Sequence, residues 1–169
     1  MTDAKELEYI VKTRTDQQTG RPLRESWQLN TDRREFHRPD GGPTIRIWNG
    51  ETGVLTTEEY HRFGVLDRVD GPALTRRDPK TAEVLTERWQ HDHQLHRDGG
   101  APAHWWKDPE TKIIVGEEYW ENGQRHRADG PAVIARDRET GEVTHEEYHV
   151  RGQQIFDRPS PPNVLDHDG

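Results

Sequence analysis

The chain has 169 residues, enough for one domain and too few for two ordinary ones. Leu, Ile, Val and Phe make up 29 of them, about 17 %, under the roughly 20 % at which a charged chain is suspected of disorder. Six Trp and four Tyr point the other way, because large rings dominate core burial and are scarce in disordered segments. Any fold is therefore thin and stapled by rings. The absence of Cys removes disulfides, thiolate nucleophiles and cysteine zinc sites, and two serines, Ser26 and Ser160, leave little scope for a serine nucleophile. A net charge of −8 disfavours nucleic acid, whose phosphates need a basic surface, and suits a basic protein partner. No apolar run approaches 18 residues and no signal-like N-terminus stands out, so no membrane span is expected and the chain is read as cytoplasmic.

Along the chain, Asp3–Val11 (DAKELEYIV) fits either one helical turn or a first strand. From there a repeat governs the sequence. The string HRADGPA at His126–Ala132 has three degraded copies before it, HRPDGGPT from His37, DRVDGPA from Asp67 and HRDGGAPA from His96. A stub, DRPSPP, follows from Asp157, and successive starts are 29 to 31 residues apart. DQQTG, NGETG, DPKTA, DPETK and DRETG keep the same pace, with Thr19, Thr52, Thr81, Thr111 and Thr140 in phase. Eight residues after each Thr stands an aromatic: Trp27, Tyr60, Trp89, Tyr119 and Tyr148. Residues 1–158 thus read as one repeat domain, with units of about 10–36 (partial), 37–66, 67–95, 96–125 and 126–156. Residues 157–169 form a Pro-rich tail expected to cover a sheet edge.

Within one unit, AVIAR (Ala132–Arg136) and EVTHEEYHV (Glu142–Val150) are β-type runs joined by DRETG, which reads as a hairpin. The Asp caps its own backbone and the closing Gly takes the left-handed conformation. Ala82 and Lys112 stand in place of that Gly, so those two turns are expected to be strained or closed differently. Joining the hairpins in order predicts an all-β fold, an antiparallel meander of about nine or ten strands in a single twisted layer.

The DG-P-A, aromatic and N-G cadence from about Ile10 to Arg158 resembles the variant MORN repeats, the HRxDGPA arrays of bacterial, phage and giant-virus proteins. The unit is longer than the common MORN repeat and lacks its regular Gly spacing. The resemblance implies stacked β-hairpins in an extended sheet, and a role among antitoxin or immunity components.

Features present in every unit are most simply structural, since one active site needs one copy. These are the aromatic series, the loop arginines Arg38, Arg68, Arg97, Arg127 and Arg158, and the strand glutamates Glu25, Glu58, Glu87, Glu117 and Glu146. Each Glu stands two residues before its ring and shares its face, so a repeated pairing of loop Arg with strand Glu is expected. Rings in successive units lie about 9.6 Å apart, and the Pro-Ala of the intervening loop is the expected filler. His91, His93 and His96 spell HDHQLH and are weak metal candidates. His93 occupies a Gly slot and His96 the recurrent His slot, so hydrogen bonding within a turn is the favoured role and no cofactor is expected.

Departures from the repeat are better pointers to function. Trp48, Trp105, Trp106 and Trp120 stand where sister units carry other residues. His104, Trp105, Trp106, Trp120, His145 and His149 could form one surface on the later units, with Trp105 and Trp106 facing opposite ways. The leading expectation is a non-catalytic module that binds a basic protein in the manner of an immunity or antitoxin-like inhibitor. The alternatives are a small-ligand or metal-binding protein using the His and Trp patch, and a scaffold that self-associates through its sheet edges.

Overall fold

The computed structural model describes residues 7–156, and among them there is no helix. The expected all-β meander is what forms. Eleven strands follow one another across an open antiparallel sheet: Tyr9–Thr15, Pro22–Leu29, Ile45–Trp48, Leu55–Glu59, Leu74–Arg77, Val84–Arg88, His104–Lys107, Ile114–Glu118, Val133–Arg136, Val143–Val150 and Gln153–Ile155. The count exceeds nine or ten because Tyr9–Thr15 is a strand and the final return, Gln153–Ile155, pairs back on its predecessor. The Pro-rich tail and Arg158 lie outside the described residues.

Each hairpin turn closes by one mechanism. Oδ1 of Asp16, Asn49, Asp78, Asp108 and Asp137 accepts the N–H groups two and three residues on, at 2.7 to 3.0 Å. A register shift follows in each hairpin, as at Trp106/Lys107, so the pairing restarts beyond a bulge. The closing residue is left-handed, with φ 70° at Gly20, 75° at Gly53 and 76° at Gly141. Ala82 at 62° and Lys112 at 63° adopt the same geometry, so these two turns are strained and not differently closed.

At the far end of the sheet the chain makes an element that the sequence reading treats as a plain turn. Two-residue ribbons pair His61–Arg62 with Val65–Leu66, Gln90–His91 with Gln94–Leu95, and Trp120–Glu121 with Gln124–Arg125. Their tips, such as Asn122 and Gly123, have both central residues at positive φ, the twist that suits a two-residue hairpin. Each ribbon bonds sideways to the chain of the preceding unit: Gly64 N–H donates to the Phe36 carbonyl at 2.8 Å, and Gly123 N–H to that of Leu95 at 2.9 Å.

The core is a line of small residues between rings. Ala73, Ala103 and Ala132 are fully buried and Thr44, in the same slot, nearly so. Their carbonyls accept from the backbone N–H of Tyr60, Trp89, Tyr119 and Trp27 respectively, at 2.6 to 2.8 Å. Each loop arginine lies over the ring of the preceding unit: Arg38 on Trp27 at 4.6 Å, Arg68 on Tyr60 at 3.9 Å, Arg97 on Trp89 at 4.2 Å and Arg127 on Tyr119 at 4.0 Å. Their guanidinium groups donate to the carbonyls of Pro43, Pro72, Pro102 and Pro131. Ala and Arg together fill the space between successive rings.

This corrects the expected Arg and Glu ladder. Of the described loop arginines, Arg38 reaches its strand glutamate, Glu25, at 3.7 Å. Glu25 also accepts from the ring tip of Trp27, and elsewhere the glutamates turn to strand cations, as in Glu58 with Arg77 and Glu117 with Arg136, or accept from the ring tips of Trp89, Tyr119 and Tyr148. The ring face attracts the guanidinium more closely than a carboxylate that already has a partner.

Candidate functional site

Strand register decides which departures from the repeat meet. Glu25, Arg46, Glu58, Thr75, Glu87, Trp105, Glu117, Ile134 and Glu146 pair in sequence across the sheet and therefore share one face. Trp105 belongs to this scaffold face and its Nε1 donates to Glu87 Oε2 at 3.1 Å. Trp48 sits beside a bulge two hairpins away, in the slot held later by Arg77, Lys107 and Arg136, and does not join the others.

The opposite face gathers the rest. His104 pairs with Glu118, Trp106 with Gly116, and His145 with Ala135, while Trp120 and His149 lie two residues beyond Glu118 and Glu147. Trp106 packs against His104 in a tilted arrangement, with ring centroids 4.8 Å apart and planes 34° from parallel. It crosses the backbone at Gly116, where a Cβ would fall 2.0 Å from the indole. Only a residue without a side chain accommodates the ring there.

Polar contacts join these groups. His104 Nδ1 lies 3.4 Å from Glu118 Oε2, the carboxylate to which the Trp120 indole N–H also donates. Arg125 donates to Glu118 at 3.2 Å and to Glu147 at 2.9 Å, and its guanidinium lies over Trp120. Glu147 then meets Nε2 of His145 at 3.1 Å and Nε2 of His149 at 2.9 Å. The hydrogen bond with His104, aided by Arg125, holds the Glu118 carboxyl below its ordinary range. Hydrogen bonds with His145 and His149, with Arg125 nearby, do the same for Glu147. Both carboxylates thus stay ionised; of the rings they hold, His104 and Trp120 are half-buried, His149 is buried and His145 is exposed. Beside Trp120 a groove of about 450 Å³ opens between loops, lined by His96, Asp98, Glu121, His126 and Asp129.

The sequence reading missed Glu118, Arg125, Glu147 and Gly116. Arg125 carried a usable signal, because Leu66 and Leu95 occupy its slot in earlier units. Gly116 carried another, standing where the preceding hairpins have Thr57 and Thr86.

The three histidines weighed as metal ligands do not converge. His93 sits at a ribbon tip with φ 64°. His96 contacts Asp98 through Nε2 at 3.0 Å, and its Nδ1 accepts the Asn122 N–H at 3.2 Å. His126 accepts the Arg151 N–H in the same way at 3.2 Å, so the recurrent His ties one ribbon to the next. Among the described residues no helix is long and apolar enough to cross a membrane. A comparison with known proteins finds no matching family model, no matching curated protein and no matching solved structure.

Proposed function

We propose that this chain is a non-catalytic protein-binding module of the variant MORN type, and that the face carrying His104, Trp106, Trp120, His145 and His149 recognises a basic protein partner. The observation behind this reading is that five side chains which the repeat does not require fall on one face and are joined through Glu118, Arg125 and Glu147. The Trp120 indole, already held by its hydrogen bond to Glu118, loses little rotamer freedom when a partner covers it, which is what an interface anchor needs. The net charge of −8 speeds encounter with a basic surface and makes that encounter weaken with salt. Stacked hairpins in an open sheet support the MORN-type reading, and through it a role as an immunity or antitoxin-like inhibitor that lays a broad face over its target.

The test immobilises the full chain, passes an extract of its own cells over it at low and high salt, and identifies the captured proteins by mass spectrometry. One basic protein should be retained by the wild type and by Trp48→Ala, and released by Trp120→Ala at unchanged thermal stability. Loss of a central anchor costs about 2 kcal/mol or more, roughly 30-fold in affinity. Equal retention by Trp120→Ala refutes the assignment of this face.

A further inference from the structure

We propose that Asp67, His91 and Asp92 form a binding site for one divalent transition-metal ion at the joint between the ribbons His61–Arg62/Val65–Leu66 and Gln90–His91/Gln94–Leu95. The inference is independent of the protein-binding reading. It starts from another departure from the repeat. Asp67 occupies the slot of His96 and His126, each of which accepts a backbone N–H from the following ribbon. The Asp67 side chain is only 4 % exposed, and its Oδ2 makes no hydrogen bond. Next to it stands His91, whose Nδ1 lies 3.4 Å from Asp67 Oδ1 and also lacks a hydrogen-bond partner. Asp92 flanks the same ring, its Oδ2 3.3 Å from the other nitrogen, Nε2, so His91 would offer one of its two nitrogens to an ion and Asp92 a carboxylate oxygen. One donor atom from each of the three residues falls within 4.8 Å of the others.

Buried polar atoms are rarely left without partners, and a cation held by the Asp67 carboxylate and His91 Nδ1, which lies 3.4 Å from its Oδ1, would satisfy the orphan nitrogen. Two ligands about 2.1 Å from a tetrahedral zinc lie roughly 3.4 Å apart, the separation seen between Asp67 and His91. One imidazole with two carboxylates suits zinc and its first-row neighbours better than magnesium or calcium, which prefer oxygen alone. The three ligands leave a fourth position for water. A groove of about 420 Å³, lined by Arg62, Asp67 and Tyr60, gives an entry path.

Arg62 is the resident competitor. Its Nε lies 3.3 Å from Asp67 Oδ2 and its Nη2 is 2.7 Å from Asp92 Oδ1, yet Oδ2 and His91 Nδ1 stay unsatisfied. Its side chain is half exposed, so it can swing into solvent when a metal enters. A bound ion then cross-links two consecutive ribbons that elsewhere are tied by the recurrent His. The sister positions of His91 and Asp92 are Glu121 and Asn122 in the next ribbon, so the donor set belongs to this joint alone among the described ribbons.

The full-length chain, stripped with chelator, is titrated with zinc chloride by calorimetry, with magnesium as the control cation and the melting temperature as a second readout. One zinc per chain is expected, with a rise in Tm. His91→Gln and Asp92→Asn should each weaken binding at least about tenfold. Arg62→Ala should tighten it, and His145→Gln, in the last unit, should leave it unchanged. Asp92 is largely exposed, so its variant is expected to fold. The proposal is overturned if zinc does not saturate at one site, if magnesium binds as well, if the His91 and Asp92 variants bind like wild type, or if Arg62→Ala fails to tighten binding.

Discussion

Gly116→Ala tests the packing of the recognition face at one atom. The added Cβ would fall 2.0 to 2.4 Å from three atoms of the Trp106 indole, far inside van der Waals contact, so the ring must lift off the sheet and abandon its contact with His104. Forcing an extra methyl into a filled site costs about 1–3 kcal/mol. Gly116 is a strand residue outside the left-handed region, where Ala alone gains about 0.5–1 kcal/mol over Gly. The two effects separate in a double-mutant cycle. In the wild-type background Gly116→Ala should destabilise, whereas with Trp106→Ala it should be neutral or stabilising, a coupling of about 1–3 kcal/mol, the steric cost alone. Urea titration followed by far-ultraviolet circular dichroism measures all four proteins. Equal shifts in both backgrounds refute the claim that Gly116 exists to seat Trp106.

Other substitutions probe the repeat itself. Arg127→Ala removes the stack on Tyr119 at 4.0 Å and the bond to the Pro131 carbonyl, and should cost about 1–2 kcal/mol; an unchanged urea midpoint contradicts the stacking ladder. Ala82→Gly relieves a left-handed φ of 62° and should stabilise by up to about 1 kcal/mol, while Ala73→Gly, at a fully buried Ala, should destabilise. Acid should weaken the fold in a defined window. Burial pulls the pKa of His61 from 6.5 down to about 4, so its contribution is complete above pH 6.5 and is lost as pH falls towards 4. Tm should drop across that interval, and His61→Gln should flatten the drop. Below it the turn carboxylates Asp16, Asp108 and Asp137, held under their ordinary 3.8 mainly by backbone N–H groups, should add a further acid loss.

The architecture was legible because three strings recur in phase, and a period of about 30 residues with Asx turns and alternating Glu and aromatic positions leaves little freedom for anything but stacked hairpins. The fully buried Ala73, Ala103 and Ala132 follow from the same arithmetic, since something small must separate rings two strands apart. What an alignment of units cannot give is the neighbour across a strand pair. Arg127 recurs because Tyr119 needs a flat cation above it, and only the path of the loop shows that the ring and not Glu117 is its partner. The recognition face was half legible. Parity along each strand separated Trp105 from Trp106, but Glu118, Arg125 and Glu147 belong to three different elements, and only the register joins them. Asp67 shows a further limit, because it looks like a degraded loop residue until its burial against His91 is seen.

Units that pair only with their neighbours in the sheet can be removed singly. Joining His96 directly to Arg127 excises 30 residues, one period, and leaves Val84–Arg88 to pair with Val133–Arg136 as it now pairs with His104–Lys107. The shortened chain should unfold cooperatively in urea, keep a β-type circular dichroism spectrum, and fail to retain the partner, since His104, Trp106, Trp120 and Arg125 leave with the excised unit. An unfolded product contradicts modular stacking, and a folded product that still captures the partner contradicts the assignment of the binding face.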